Sequence, residues 1–104
     1  MTQASPSSDT KIDIDTTLRE PPMYQLIYLN DNDTTYEFVI ESLMNHLNYT
    51  EATAQNITQQ IHEAGSACVA VLPYEIAEQK GIEITVSART NGFPLNVKIE
   101  PEEF

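Results

Sequence analysis

Residues 28–41, "YLNDNDTTYEFVIE", join an apolar segment to a helical pattern through a run of Asn, Asp and Thr. The segment that ends there, "MYQLIYL" at 23–29, is rich in Tyr, Ile and Leu and predicts a β-strand. Beyond the polar run, three apolar residues recur at helical spacing: Val39, Leu43 and Leu47. Thr34 followed by Glu37 matches a capping box, so we expect the helix to begin at Thr34 or just after it.

A second helix and a second strand follow. "TEATAQNITQQIHEAG" at 50–65 has Thr50 as its expected N-cap and Gly65 as its expected C′ residue. "SACVAVLP" at 66–73 is apolar throughout, which favours a strand in the centre of the sheet. Cys68, the only cysteine, is expected to be buried there as a small hydrophobe. A single cysteine leaves no internal disulfide and no cysteine-based zinc site.

A third helix and a last strand complete the pattern. Pro73 is expected to open the helix, which extends to about residue 90. Its inward row consists of small and aliphatic residues: Ala77, Gly81, Ile84 and Ala88. Apolar and polar residues alternate in "FPLNVKIE" at 93–100, as is typical of a strand. The order β-α-α-β-α-β predicts an α+β domain with a three-stranded antiparallel sheet and three helices packed on one face.

Composition divides the chain into two parts and limits its partners. Residues 1–22 are polar and contain prolines, so we expect a flexible N-terminal tail before a folded domain at 23–104. The chain has 5 Lys and Arg against 16 Asp and Glu, a net charge of −11. This excess argues against nucleic acid and anionic membranes and favours cationic partners or a free α-amino group. Without an apolar leader or membrane span, we expect a cytoplasmic protein.

Metal and catalytic motifs are absent from the sequence. A calcium loop that begins at Asp31 would need Gly and Glu where Tyr36 and Ser42 stand. His46 and His62 fall on different predicted helices and do not signal a zinc site. A hydrolase that uses Asp31 and His62 would lack a nucleophile. From the pattern alone, His62 is a solvated histidine at a helix end, and the Asn/Asp cluster is a turn with an N-cap.

The same cluster resembles a known family. "LNDNDTTYEFV" is similar to the "NDD-x-T-P-M-E-F-V" loop of ClpS, the N-end-rule adaptor of Clp proteases. The likeness continues through "IHEAGSACVAV", "EIAEQK" and "ARTNGFPL", and covers about Tyr24 to Glu100. The resemblance implies an adaptor without enzymatic activity, cofactor or metal. It would bind proteins with a free N-terminus and a large hydrophobic first residue (N-degrons), and would deliver them to a Clp AAA+ ATPase, ClpA or ClpC.

The resemblance also assigns roles to individual residues. Three of them would hold the α-ammonium group of the substrate: Asn30, Asp31 and His62. Six would line the pocket for the first side chain: Thr34, Tyr36, Val39, Thr58, Ile61 and Leu95. Glu75 and Lys80 would dock on the N-domain of the ATPase, and the tail would engage the ATPase during delivery. The first assignment is chemically sensible, since an α-ammonium offers three donors and needs acceptors.

The chain departs from the family at four of these positions or their neighbours. Asn32 stands in place of the family's third acidic residue, and Thr35 in place of the loop proline. Tyr36 and Thr58 replace two methionines that shape the family's pocket. Because Thr is shorter than Met, we expect an altered first-residue preference that extends to β-branched Ile or Val. The alternative is a ClpS-like domain that docks on the ATPase without degron binding, as a decoy or inhibitor.

Overall fold

Six elements make up the part of the chain that the computed structural model describes, residues 21–102. Their bounds, in chain order, are β1 (Met23–Leu29), α1 (Tyr36–Leu47), α2 (Glu51–Ala64), β2 (Ser66–Pro73), α3 (Tyr74–Thr90) and β3 (Asn96–Pro101). The predicted element order is confirmed. The predicted tail lies outside the described residues, apart from Pro21 and Pro22.

The sheet is antiparallel, as predicted, with the strand order β2-β1-β3. The expectation that β2 lies in the centre is therefore wrong, since β1 has a partner on each side. In β1, Leu26, Ile27 and Tyr28 are consecutive buried residues, as a central strand requires, whereas Val71 of β2 is 36% exposed. An apolar run indicates a tendency to be buried, but it does not specify which strand pairs on both edges.

Cys68 is exposed, so its predicted burial is also wrong. The pairs Leu26↔Ala70 and Ile27↔Cys68 leave Val69 without an opposite residue, which marks a β-bulge in β2. Cys68 shares the sheet face of Ile27, and this is the face opposite to that of Leu26. Leu26 belongs to the core beneath the helices, so Cys68 is directed away from that core.

The helix caps follow the predicted chemistry with one correction. Thr35, not Thr34, caps α1, because its side chain accepts a hydrogen bond from the Phe38 N–H at 3.1 Å. The capping box that pairs Thr34 with Glu37 is therefore wrong, although the helix begins within two residues of the predicted start. For α2 both ends are confirmed: Thr50 is the N-cap, and Gly65 ends the helix with φ of 88°.

The core lies between the sheet and the three helices on one of its faces. The predicted inward row of α3 is confirmed, since its four residues are all buried: Ala77, Gly81, Ile84 and Ala88. The hydroxyl of the buried Tyr28 in β1 forms a hydrogen bond of 2.8 Å with the hydroxyl of Ser42 in α1. Burial raises the pKa of Tyr28 from its ordinary 10.0 to about 12, against a smaller opposing effect of the Ser42 bond.

Candidate functional site

Strand pairing brings the Asn/Asp turn to the C-terminal end of α2. The β1–β2 register pairs Leu29 with Ser66, and the next residue, Asn30, donates its N–H to the Gly65 carbonyl at 2.9 Å. His62 lies in the last turn of α2, three residues before Gly65. The rings of Tyr36 and His62 meet edge-on, with centroids 5.4 Å apart and planes at 69°. Two segments that are distant in sequence thus form one surface.

Asp31 builds the turn with its own carboxylate. Its Oδ1 accepts the Asp33 N–H at 2.8 Å and the Thr34 N–H at 2.6 Å, and its Oδ2 accepts the Thr34 hydroxyl at 2.8 Å. These bonds explain why Thr34 does not cap α1. A carboxylate has about four lone-pair sites, so about one remains for a further donor.

The charge of Asp31 is held in the ionised form. Desolvation alone would raise the pKa of this carboxyl. The bonds from Thr34 and Asp33 outweigh it, and together with the positive Arg89 they hold the pKa of Asp31 below its ordinary value of 3.8. The turn therefore carries a fixed negative charge at neutral pH, and both Asn30 beside it and His62 at the end of α2 are exposed.

Most of the predicted pocket positions are buried side chains of the two helices and of the segment before β3. Tyr36 and Val39 lie on one face of α1, and Thr58 and His62 on one face of α2, as their spacing dictates. The exposed fractions of the inner side chains are 7% for Val39, 2% for Thr58, 3% for Ile61 and 1% for Leu95. Tyr36, in contrast, is 46% exposed. Four of the six predicted pocket positions are therefore buried, whereas Tyr36 and His62, whose rings meet, are exposed.

Thr58 is buried without leaving its hydroxyl unpaired. The Thr58 Oγ1 donates to the Ala54 carbonyl of its own helix at 2.7 Å. A buried hydroxyl that bonds to the carbonyl four residues earlier has its hydrogen-bonding need satisfied within the helix. The methyl group is then the part of Thr58 that remains for contact with an apolar side chain.

Arg89 is the residue near the site that the sequence patterns did not single out. Its Nη1 donates to the carbonyls of Phe93 and Leu95, at 3.0 Å and 2.8 Å, and its Nη2 donates to Asn96 Oδ1 at 3.3 Å. It thereby bonds to the main chain of a predicted pocket residue. The sequence feature that could have indicated this role is the position of Arg89 in the last turn of a helix, where cationic side chains bind free carbonyls.

The two predicted docking residues lie on α3, which carries much of the exposed apolar surface. Glu75 is exposed in the first turn. Lys80 is half-buried, and its Nζ lies 3.7 Å from Glu83 Oε1, which also lies 3.5 Å from His46 Nδ1. Four apolar side chains of α3 are between 44% and 58% exposed: Tyr74, Ile76, Ile82 and Val86.

Residues 21–102 contain neither a cluster of metal ligands nor a helix that could span a membrane. Within this range, no group of three or more His, Cys, Asp or Glu side chains is placed to hold a metal ion. No helix in the same range combines the length and the apolar character needed to cross a membrane.

Comparisons with known proteins agree on one family. The family model of the ATP-dependent Clp protease adaptor protein ClpS matches residues 19–98. An ATP-dependent Clp protease adapter protein ClpS from Nautilia profundicola is 40% identical over 91 residues, which cover 88% of this chain and 94% of the relative. One from Clostridium acetobutylicum is 42% identical over 80 residues, or 77% of this chain and 79% of the relative.

A solved structure extends the agreement to the fold. Agrobacterium tumefaciens ClpS2, bound to L-phenylalaninamide, superposes with a TM-score of 0.78 at 37% identity. The match covers 80% of this chain and 100% of that one. By sequence, by family model and by fold, the chain belongs to the ClpS family of adaptor proteins of the ATP-dependent Clp protease.

Proposed function

We propose that this ClpS family member binds proteins by a free N-terminus with a large hydrophobic first residue, and delivers them to a Clp AAA+ ATPase. The observation that carries the proposal is the meeting of the Asn/Asp turn with the end of α2, through the 2.9 Å bond from Asn30 to Gly65 and the contact of Tyr36 with His62. The ligand of the Agrobacterium relative, L-phenylalaninamide, has a free α-amino group and a benzyl side chain, which supports this ligand class.

Capture of the amino group rests on three acceptors, of which the Asp31 carboxylate is already held in place by the turn. The α-ammonium would donate to the remaining lone-pair site of Asp31, to the Asn30 side-chain carbonyl and to an unprotonated nitrogen of His62. Bonds of this charge-assisted kind contribute about 1.5–3 kcal/mol each. The hydrogen bonds of the turn hold the Asp31 carboxylate in place, so little ordering is needed on binding.

The first side chain of the substrate would rest on an apolar floor formed by four buried residues: Val39, Thr58, Ile61 and Leu95. Burial of a Leu or Phe side chain contributes about 1.5–3 kcal/mol. Because the floor is nearly inaccessible, the Tyr36 ring would turn away from His62 to admit a large side chain. The short Thr58 would leave room beside the Cβ atom of the ligand, so we propose that N-terminal Ile and Val are accepted in addition to Phe, Leu, Tyr and Trp.

Fluorescence anisotropy with a panel of labelled peptides tests this proposal. The peptides differ only in the first residue, and each has an N-acetylated control. We expect binding of Phe, Leu, Ile and Val starts that disappears on acetylation, because the acetyl group removes the charge and leaves the acceptors of the site unpaired. Equal binding of free and acetylated peptides would exclude capture of the α-amine. Affinity for Ile and Val hundreds of times weaker than for Phe would exclude the broadened preference.

Delivery would depend on α3. We propose that Glu75 and Lys80 dock on the N-domain of the ATPase, ClpA or ClpC, and that Lys80 supplies a cation on a chain that has few. Lys80→Glu should then weaken binding to the N-domain by tenfold or more, a loss of about 1.4 kcal/mol. Lys98→Glu is the matched control, since Lys98 is an exposed lysine that, like Lys80, lies beside a glutamate, in this case Glu100. If both variants weaken binding equally, the loss comes from the change in net charge and not from docking by Lys80.

A second candidate function has one observation in its favour. The inner side chains of the pocket are only 1% to 7% exposed, as they would be in a domain that docks on the ATPase but binds no degron. Such a decoy or inhibitor would bind the N-domain, with the same dependence on Lys80, and would bind none of the peptides. The two assays together therefore distinguish the adaptor from the decoy.

A further inference from the structure

We propose that Arg89 is a positioning residue of the peptide site, which holds the main chain of residues 93–96 so that Leu95 forms a wall of the pocket. The inference rests on the function proposed above and deepens it, since it concerns what sets the shape of that pocket. It depends on three hydrogen bonds from Arg89, near the end of α3, to residues 93–96.

The segment that presents Leu95 has little regular structure of its own. Residues 91–95 lie between the end of α3 and the first paired residue of β3, Asn96. Gly92 has φ of 80°, and Pro94 has no N–H to donate. The carbonyls of Phe93 and Leu95 precede the strand ladder, and each accepts a hydrogen bond from a side chain instead.

Arg89 provides the donors that this segment needs. One guanidinium nitrogen, Nη1, reaches both carbonyls, at 3.0 Å for Phe93 and 2.8 Å for Leu95. The other, Nη2, reaches Asn96 Oδ1 at 3.3 Å, on the first residue of the strand. Because two of the three acceptors are main-chain atoms, these contacts set the path of the backbone. The Leu95 side chain, 1% exposed, is thereby held in the floor of the site.

The geometry needs a guanidinium rather than a simple positive charge. The planar group fixes the directions of its donors, whereas the ammonium of lysine is a compact charge on a flexible stem. Arg89 also exerts a positive field on the Asp31 carboxylate, so it acts on both halves of the site. Arg89→Lys retains that field and removes the fixed set of donors. This variant therefore separates the positioning role from the electrostatic one.

The test is a double-mutant cycle with Leu95→Val, measured by anisotropy with a labelled peptide that begins with Phe. Arg89→Lys and Leu95→Val should each weaken binding about tenfold, because a displaced pocket wall costs affinity. If Arg89 acts through Leu95, Arg89→Lys should add less than about threefold in the Leu95→Val background. Lys98→Ala, which removes a cation elsewhere on the surface, should leave the affinity unchanged. Thermal unfolding of every variant establishes that it is folded.

The inference would be overturned if Arg89→Lys bound the peptide with wild-type affinity. It would also be overturned if the increase in Kd of the double variant equalled the product of the increases in the two single variants. If Arg89→Lys does not fold, Asn96→Ala removes one of the three acceptors at an exposed position, and should weaken binding in the same direction and in the same non-additive way. Absence of peptide binding by the unmodified chain is a different result. It would overturn the proposed function, and this inference with it.

Discussion

Replacement of Asp31 by Asn separates its role in the turn from its role in binding. The Asn Oδ1 can still accept the N–H groups of Asp33 and Thr34, which lie at 2.8 Å and 2.6 Å. The new amide can donate to the Thr34 hydroxyl in place of the bond at 2.8 Å. The turn should therefore persist, with a loss of about 1 kcal/mol or less in the free energy of unfolding.

Binding should suffer more than stability. The lone-pair site that remains for the ammonium is on Oδ2, which the Asn variant replaces with an amide nitrogen that cannot accept a hydrogen bond. The charge-assisted bond, about 1.5–3 kcal/mol, is therefore lost. Because solvent screens this partly exposed position, we expect a net loss of about 1–2 kcal/mol. That loss corresponds to an increase in Kd of about five- to thirty-fold. Asp31→Ala removes both carboxylate oxygens that accept hydrogen bonds in the turn, and should impair both stability and binding.

Anisotropy with a Phe-initiated peptide, together with urea unfolding of the same samples, measures both quantities. Asp33→Asn is the matched control, because it removes the same formal charge from an exposed residue two positions away. It should change Kd by less than about threefold, since the interaction of exposed charges is weak. Wild-type affinity of Asp31→Asn would refute the reasoning. An equal loss in Asp33→Asn would show that overall charge, rather than the placement of Asp31, attracts the ligand.

Three further predictions concern the scaffold and the tail. Gly81→Ala should raise the free energy of unfolding by about 1 kcal/mol, because an added Cβ would meet its nearest neighbour, Leu26 Cδ1, at an ordinary 3.6 Å. Gly65→Ala is its control and should lower stability by about 1–2 kcal/mol, because φ is 88° there; destabilisation by both would contradict the reasoning. The raised pKa of Tyr28 implies a stability contribution that is intact below pH 10.0 and lost as the pH rises towards 12. Urea unfolding should detect a fall of about 2–3 kcal/mol over that interval, and Tyr28→Phe should not show it. Deletion of residues 1–20 should leave peptide affinity unchanged and slow degradation by the Clp protease; an unchanged degradation rate would exclude a role of the tail in delivery.

Local patterns were sufficient for the elements of this fold. The caps of α2 were predictable because Thr50 and Gly65 each satisfy backbone groups within one turn of their own helix. The inward row of α3, which includes Gly81 and Ile84, was predictable because helical spacing alone places those residues on one face. In such cases the chemistry that decides the structure lies within a few residues along the chain.

The errors arose where the decision depended on a distant strand or on competition between neighbours. Cys68 was expected to be buried, but its face is set by the bulge at Val69 and by the pairing of β2 with β1. Thr34 and Thr35 are both suitable N-caps. Thr34 does not cap the helix, because both its N–H and its hydroxyl donate hydrogen bonds to Asp31. A cap motif identifies candidates, but it does not show which of them another side chain will use.

The candidate site could be inferred from the sequence only by resemblance, and the strand register explains why. No local sequence pattern indicates that the Asn/Asp turn and the end of α2 are in contact. They meet because Leu29 pairs with Ser66, which sets Asn30 beside Gly65 and within one helical turn of His62. Since side chains alternate between faces along a strand, a slip of one residue in this pairing would turn the apolar residues of β1 away from the core. The burial that fixes the register of the sheet therefore also fixes the geometry of the site.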